Sequence, residues 1–472
     1  MQAWTSLGYL LSAVLFILGL KKLGHPRTAP FGNQLGALGM LVAVLTTVLD
    51  MGLKGDAHWG LIITGLVLGT AIGLWMAVRV EMTGMPELVA LFNGFGGAAS
   101  ALVALAEIWK YLEADTVPPE GLGRTVIVIA AGLSALVGWM TLTGSVLAMY
   151  KLKGGINFRG KWHKTPTWGP VWLNPVKIAL FLLVCLLIYL NIGAPTNMLY
   201  VSGIVLISSV LGIVLVLPIG GADMPVVVSL LNSLSGIAAA FTGFIITNSV
   251  LIIAGSLVGA SGLILTFIMC KAMNRSLADV LFKSFGGSGE KESVTRTKVG
   301  SDPDEVAMML DGAQKVIIVP GYGMAVSQCQ HQVKEFADLL TDKYDTEVKY
   351  AIHPVAGRMP GHMNVLLAEA KVPYEQLIEM DEINPEFPEC DVALIIGAND
   401  TTNPAARSGE GPLAGMPIID ADQARSVVIV KRSLSVGYAG VDNDLFYLDK
   451  TMMLFGDGKK MMSELNNAVK ES

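Results

Sequence analysis

This sequence is short of charge. Asp, Glu, Lys and Arg make up only 15% of its 472 residues, against 52% hydrophobic residues, and the mean hydropathy is +0.56. A water-soluble protein with a mostly polar surface seldom has such values, so a membrane protein is the first expectation. No block of Lys and Arg interleaved with aromatics occurs, and the net charge of −6 is unremarkable; nucleic acid is therefore set aside as a partner. Cysteine is equally sparse. The four thiols, Cys185, Cys270, Cys329 and Cys390, form no Cys-x-x-Cys pair or Cys/His cluster at ligand spacing, so they read as buried reduced thiols and no metal is expected. The start, Met1-Gln2-Ala3-Trp4, also lacks the basic region of a secretory signal; the first apolar segment is expected to stay as a membrane helix.

What is there falls into two halves. Up to residue 273, apolar runs near the roughly 20 residues that cross a bilayer recur between short Gly- and Pro-containing loops. Nine candidate spans lie near 3–20, 34–53, 59–78, 86–109, 125–150, 176–192, 198–218, 224–246 and 250–273. Basic residues sort by loop parity. Lys21, Lys22 and Arg27 follow the first span, Arg79 the third, Lys151, Lys153, Arg159, Lys161 and Lys164 the fifth, and Lys271 and Arg275 the ninth. The alternate loops hold only Lys54, Lys110 and Arg124. The positive-inside rule then faces the odd-numbered exits, and the C-terminal region with them, toward the cytoplasm, with the N-terminus outside. From 274 to 300 the composition turns to Ser, Gly, Lys, Glu and Thr, as in a domain linker. Over 301–472, strand-like runs at 315–319, 348–352, 392–396, 427–430 and 452–455 alternate with helical ones, the first of these over 325–340. That alternation predicts a parallel sheet with crossover helices, a Rossmann-like α/β domain.

The first of those strands leads into Gly321-Tyr322-Gly323-Met324-Ala325-Val326 and then a helical pattern. Glycines at such a junction permit a tight turn and close approach of the backbone to a pyrophosphate at a helix N-terminus. The signal is weak by itself, because Val326 stands where a third glycine would. An NAD-type site would end its second strand in Asp or Glu for the ribose 2′-hydroxyl; this one ends Tyr350-Ala351-Ile352-His353-Pro354. Farther on, Val428-Ile429-Val430 runs into Lys431-Arg432-Ser433, two cations and a hydroxyl that could hold a 2′-phosphate, or simply a solvated basic strand end. Together these favour NADP(H) over NAD(H).

Several long segments in order resemble one family. They are the glycine turn, His353-Pro354-Val355-Ala356-Gly357-Arg358-Met359-Pro360-Gly361-His362, Gly397-Ala398-Asn399-Asp400-Thr401, and Lys431-Arg432-Ser433-Leu434-Ser435-Val436-Gly437-Tyr438-Ala439-Gly440-Val441. Met85-Pro86-Glu87-Leu88-Val89 and Gly220-Gly221-Ala222-Asp223-Met224-Pro225 match the same family's membrane domain. The chain resembles, over essentially its whole length, the membrane-spanning, NADP(H)-binding beta subunit of proton-translocating nicotinamide nucleotide transhydrogenases.

The resemblance implies hydride transfer of the B-specific (Si–Re) type from NADH to NADP⁺, coupled to inward proton movement across a bacterial inner membrane. It implies an alpha subunit that carries NAD(H), since this chain has one dinucleotide fingerprint, and two copies of the assembly. By resemblance Tyr322 and Val355 to Pro360 contact NADP, Gly397 to Thr401 form a loop at the nucleotide, and Lys431 to Tyr438 supply 2′-phosphate contacts and a lid. Gly415, Met416, Asp457 and Gly458 match further contact positions. Hydride transfer needs no protein acid or base. Asp400 is the one carboxylate in these motifs that could change protonation as NADP⁺ becomes NADPH, or could cap the turn that follows it.

Within the spans Glu87, Asn93, Asp223 and Asn232 are the polar groups that would mark a proton path, ionisable groups at depth being costly unless functional or paired. Asp223 also fits a solvated loop carboxylate. Asn93 stands where some family members carry a titratable His, and an asparagine can align water but not accept a proton at neutral pH. Small residues crowd two spans, Gly94, Gly96, Gly97, Ala98, Ala99 and Ser100 in one and Ser229, Ser233, Ser235 and Gly236 in another; they read chiefly as close helix packing. A transporter or channel with a regulatory nucleotide-sensing domain is the alternative, supported by fold class alone.

Overall fold

Nothing in the hydrocarbon core of a bilayer can satisfy a backbone N–H or C=O, so a chain that crosses it does so as helices or as a closed β-barrel. The computed structural model describes residues 2–24, 27–54, 58–80, 84–113, 122–158, 161–163, 168–194, 197–220, 223–282, 296–408, 413–437 and 439–472. Among them nine helices are long and apolar enough to span a membrane. They are α1 (Gln2–Leu23), α2 (Ala29–Lys54), α3 (Trp59–Arg79), α4 (Met85–Glu113), α5 (Leu122–Leu152), α6 (Leu173–Gly193), α7 (Met198–Val216), α8 (Met224–Ile245) and α9 (Ser249–Ala272). The chain is a multi-pass membrane protein. Between α5 and α6 the strands β1 (Ile156–Phe158) and β2 (Lys161–His163) pair antiparallel.

Apolar side chains gain little by leaving lipid for each other, so small residues and hydroxyls set the helix contacts. A Cβ at Gly97 would lie 2.9 Å from the Gly138 carbonyl oxygen, across α4 and α5, and one at Gly236 would lie 2.5 Å from the Gly259 nitrogen, across α8 and α9. Ser233 Oγ donates to the Gly259 carbonyl at 2.6 Å and Ser229 Oγ to that of Gly262 at 3.1 Å. The Ser134 and Thr242 hydroxyls meet at 2.9 Å between α5 and α8. The crowded small residues thus pack helices, as expected of them. At the end of α5, Lys151 Nζ donates to the Val216 carbonyl at 3.0 Å and to that of Leu217, closing the last turn of α7.

The C-terminal region holds α10 (Leu277–Phe282), α11 (Pro303–Leu310), β3 (Lys315–Pro320), α12 (Tyr322–Ser327), α13 (Gln330–Tyr344), β4 (Glu347–Ile352), α14 (His362–Glu369), β5 (Leu377–Glu379), α15 (Met380–Ile383), β6 (Val392–Ile396), β7 (Ser426–Lys431), β8 (Thr451–Phe455) and α16 (Gly458–Glu471). The six strands β3 to β8 form one sheet in the order β5-β4-β3-β6-β7-β8, every pair parallel. That is the doubly wound dinucleotide-binding order, with its reversal between β4–β3 and β3–β6. Burial on both faces explains the unbroken Val/Ile runs: all of Val316 to Val319 and Val392 to Ile396 are buried.

Three details depart from the sequence reading. The expected helix over 325–340 is two helices, because Ser327 Oγ bonds back to the Gly323 carbonyl at 2.8 Å and Gln328 turns left-handed (φ +50°), with Cys329 N–H closing onto the Met324 carbonyl. The short edge strand β5 lacks an apolar run of its own. Helix α10 falls within the stretch read as linker, and residues 283–295 of that stretch lie outside the described ones. By contacts the chain forms two compact units, Met1–Pro218 with Val227–Leu265, and Ile219–Val226 with Thr266–Ser472.

Candidate nucleotide site

At the reversal of strand order the loops after β3 and β6 touch backbone to backbone. Gly321 N–H donates to the Ile396 carbonyl and Gly323 N–H to that of Gly397, both at 2.9 Å. A Cβ at Gly323 would lie 2.5 Å from the Gly397 Cα, and Gly397 itself has φ +64°. Only glycine fits either position. The pair leaves the N-terminus of α12 open, and a cavity of about 680 Å³ lies there, within the range of small-molecule sites.

Tyr322, Val326, Val355, Ala356, Gly357, the loop Gly397 to Thr401 and Met416 line this cavity, with Lys431 to Ser433 and Ser435 to Gly437 on the β7 side and Asp457 and Gly458 at the end of β8. Asp457 also caps α16, its carboxylate accepting the Lys459 N–H at 3.1 Å and that of Lys460 at 3.4 Å. Arg358, Met359, Pro360, Gly415 and Leu434 are not among the lining residues, and Tyr438 lies outside the described residues. The Arg358 guanidinium lies 4.4 Å from the ring centre of Tyr322, which does line the cavity.

The end of β4 carries no acid. His353 there is buried, its Nε2 2.9 Å from the Pro417 carbonyl oxygen and its Nδ1 accepting the Val355 N–H at 3.2 Å. Burial pushes its pKa down to about 4, so the ring is neutral and braces the loop that follows.

At the end of β7, Lys431 turns inward. Its ammonium donates to the Ser435 carbonyl at 2.6 Å and sits 4.4 Å from the Phe446 ring centre. Burial pushes its pKa down to about 8, with Asp400 and Asp442 opposing. Arg432 and Ser433 are exposed. Asp400 Oδ2 accepts the Ala439 N–H at 3.0 Å, and a Cβ at Gly437 would overlap the carboxylate. The carboxylate thus clasps the segment after β7, and the turn starting at Asn399 has no side-chain cap.

Asn93 is buried and its Nδ2 donates to the Val228 carbonyl of α8 at 3.2 Å. Asn232 is half-buried one turn farther along α8, and Glu87 half-buried in the first turn of α4. Asp223 is buried rather than solvated, with Arg275 Nη1 at 2.9 and 2.7 Å from its two oxygens, and both residues line the cavity above.

The model of the NAD(P) transhydrogenase beta subunit family matches residues 5–468. This chain belongs to that family. Two sequences of Rhodospirillum rubrum, one from a designated strain, are both named NAD(P) transhydrogenase subunit beta; each is 45% identical over 471 residues, covering 98% of this chain and 99% of the relative. The transhydrogenase family accounts for the pairing of nine spans with a doubly wound sheet, which fold class alone left open. Several parts of the site were not picked out from the sequence, the cavity-lining Met273, Ser327, Leu413 and Gly456 among them. Arg275 was counted only as a loop cation, since the fold alone reveals its partner. Asn443, buried and donating from Nδ2 to the Asn399 carbonyl at 3.1 Å, and Phe446 under Lys431 lie in no recognisable motif.

Proposed function

We propose that this chain is the NADP(H)-binding subunit of a proton-translocating transhydrogenase, which takes hydride from NADH held by an alpha subunit. The carrying observation is the glycine-to-glycine crossing of the β3 and β6 loops, opening onto a cavity with Lys431, Arg432 and Ser433 on one side. These residues fit a phosphorylated dinucleotide: the crossing leaves room for a pyrophosphate at the start of α12, and the cations suit a 2′-phosphate. The bound nicotinamides supply the redox chemistry. Tyr322 and Val355 would orient one end of NADP(H), Arg432 and Ser433 would hold the other, and the Asp400 clasp on Ala439 would keep the segment between them closed against water.

Proton movement is assigned to the same chain, with Asn93 and Asn232 along the path and Asp223, paired with Arg275, at the face of the cavity. The parity of Lys and Arg among the loops supports a cytoplasmic C-terminal unit in a bacterial inner membrane, and the assembly is taken to be a dimer. The test uses inverted membrane vesicles containing both subunits, given NADH and an NADP⁺ analogue of distinct absorbance. The expected result is reduction of the analogue with a change in lumen pH. Binding of NADP⁺ without turnover in the presence of the alpha subunit would favour a nucleotide sensor instead.

A further inference from the structure

The loop between β4 and α14 makes two left-handed turns, at Gly357 (φ +105°) and Gly361 (φ +68°). Between them the Arg358 N–H points at His362 Nδ1, 3.1 Å away. The Nδ1 edge of the imidazole packs against this loop: a Cβ at Gly357 would come within 2.4 Å of Nδ1 and 2.6 Å of the His362 Cβ. His362 is 1% exposed, and its Nε2 has no hydrogen-bond partner among the described residues. A neutral imidazole has one donor and one acceptor. Because Nδ1 accepts, Nε2 carries the hydrogen, and the other tautomer and the cation would each set two N–H groups against each other.

We propose that His362 is the positioning residue of the nucleotide loop: through Nδ1 it fixes the Arg358 main chain, so that the Arg358 guanidinium backs the Tyr322 ring where that ring lines the cavity. The proposal rests on the NADP(H) reading of the site. A hydrophobic residue of the same size would fill the space but leave the part-buried Arg358 N–H without its acceptor. The ring therefore contributes direction in addition to volume, and it does so without touching the nucleotide.

Amide side chains separate these two contributions. In His362→Asn the carbonyl oxygen stands where Nδ1 stood, in His362→Gln it stands near Nε2, and His362→Phe keeps the volume with no acceptor. The full chain and each variant, purified in detergent, are compared by hydrogen–deuterium exchange at the Arg358 amide and by titration with NADP⁺ and NAD⁺. His362→Asn is expected to keep exchange and NADP⁺ affinity within about threefold of the parent, whereas His362→Gln and His362→Phe exchange faster and bind NADP⁺ about tenfold more weakly. Should His362→Phe not fold, Asn against Gln carries the same contrast. An Asn variant as impaired as the Gln variant, or a Gln variant equal to the parent, overturns the proposal. A parent chain that protects the Arg358 amide but shows no preference for NADP⁺ overturns the NADP(H) reading, and the nucleotide role of His362 with it.

Discussion

The membrane helices and the parallel sheet both bring backbones into contact through glycine, for opposite reasons. In α4, α5, α8 and α9, glycine lets helices approach where lipid offers side chains no reason to leave it, and the contact is structural. At the β3–β6 crossing the sheet is already held by buried Val and Ile, and glycine opens a space. The same residue type is therefore packing in one region and site in the other. The difference lies in whether an open helix end or strand end stands beside it.

The sharpest way to break that comparison is to put a methyl group at each kind of contact. Gly397→Ala meets the Gly323 Cα at φ +64° and is expected to weaken NADP⁺ binding by more than about a hundredfold, strain and clash acting together. Gly138→Ala, across from the Gly97 carbonyl, is expected to lower thermal stability in detergent, by about 1–3 kcal/mol, with NADP⁺ affinity unchanged. Equal loss of binding in both would dissolve the distinction.

Next in size is the β7 side of the site. Arg432→Ala is expected to weaken NADP⁺ about ten- to a hundredfold, as a charge-assisted hydrogen bond is worth about 1.5–3 kcal/mol, and to leave the feeble binding of NAD⁺ alone. Lys431→Ala should lose less of this discrimination, because its ammonium already serves the Ser435 carbonyl. The ratio of the two affinities, measured for each variant, decides; parallel losses for NADP⁺ and NAD⁺ would assign these residues to the fold.

Asp223→Asn probes the other end of the cavity. It removes the carboxylate charge opposite Arg275 and is expected to cut proton translocation in vesicles about tenfold while NADP⁺ affinity stays within about threefold. Unchanged pumping would make the ion pair a structural clamp.

The smallest effect is graded. Burial holds His353 and His362 at about 4, below the ordinary value of 6.5. The unfolded chain therefore takes up protons first as pH falls, and stability present above pH 6.5 is lost progressively toward pH 4. No histidine of the nine spanning helices is buried among the described residues. Thermal unfolding between pH 7 and 4.5 should thus lower the transition of the sheet unit before that of the helices, and replacing both histidines should flatten the difference.

Much of this was legible in the chain. Span number followed from apolar length, and the glycine turn followed from its place between a strand and a helical run. The cofactor was less legible: the end of β4, which lacks an acid, and the end of β7, which carries the cations, lie on opposite flanks of β3 and β6. One ribose cannot meet both, so the cations carry the inference and the missing acid adds little. Arg275 was illegible for a plainer reason: it lies 52 residues from Asp223, and no local pattern announces a pair made by two helix ends.

The clasp between Asp400 and the segment after β7 bears on time as well as on affinity. On the proposed reading, a nucleotide beneath that segment would leave only after the segment lifts, and its residence time would depend on the lifetime of the bonds that hold it, the Asp400–Ala439 bond among them. Gly437, which alone can lie against Asp400, keeps that latch short. A methyl group there would push the segment away from the carboxylate, and on the proposed reading NADP(H) would then dissociate faster.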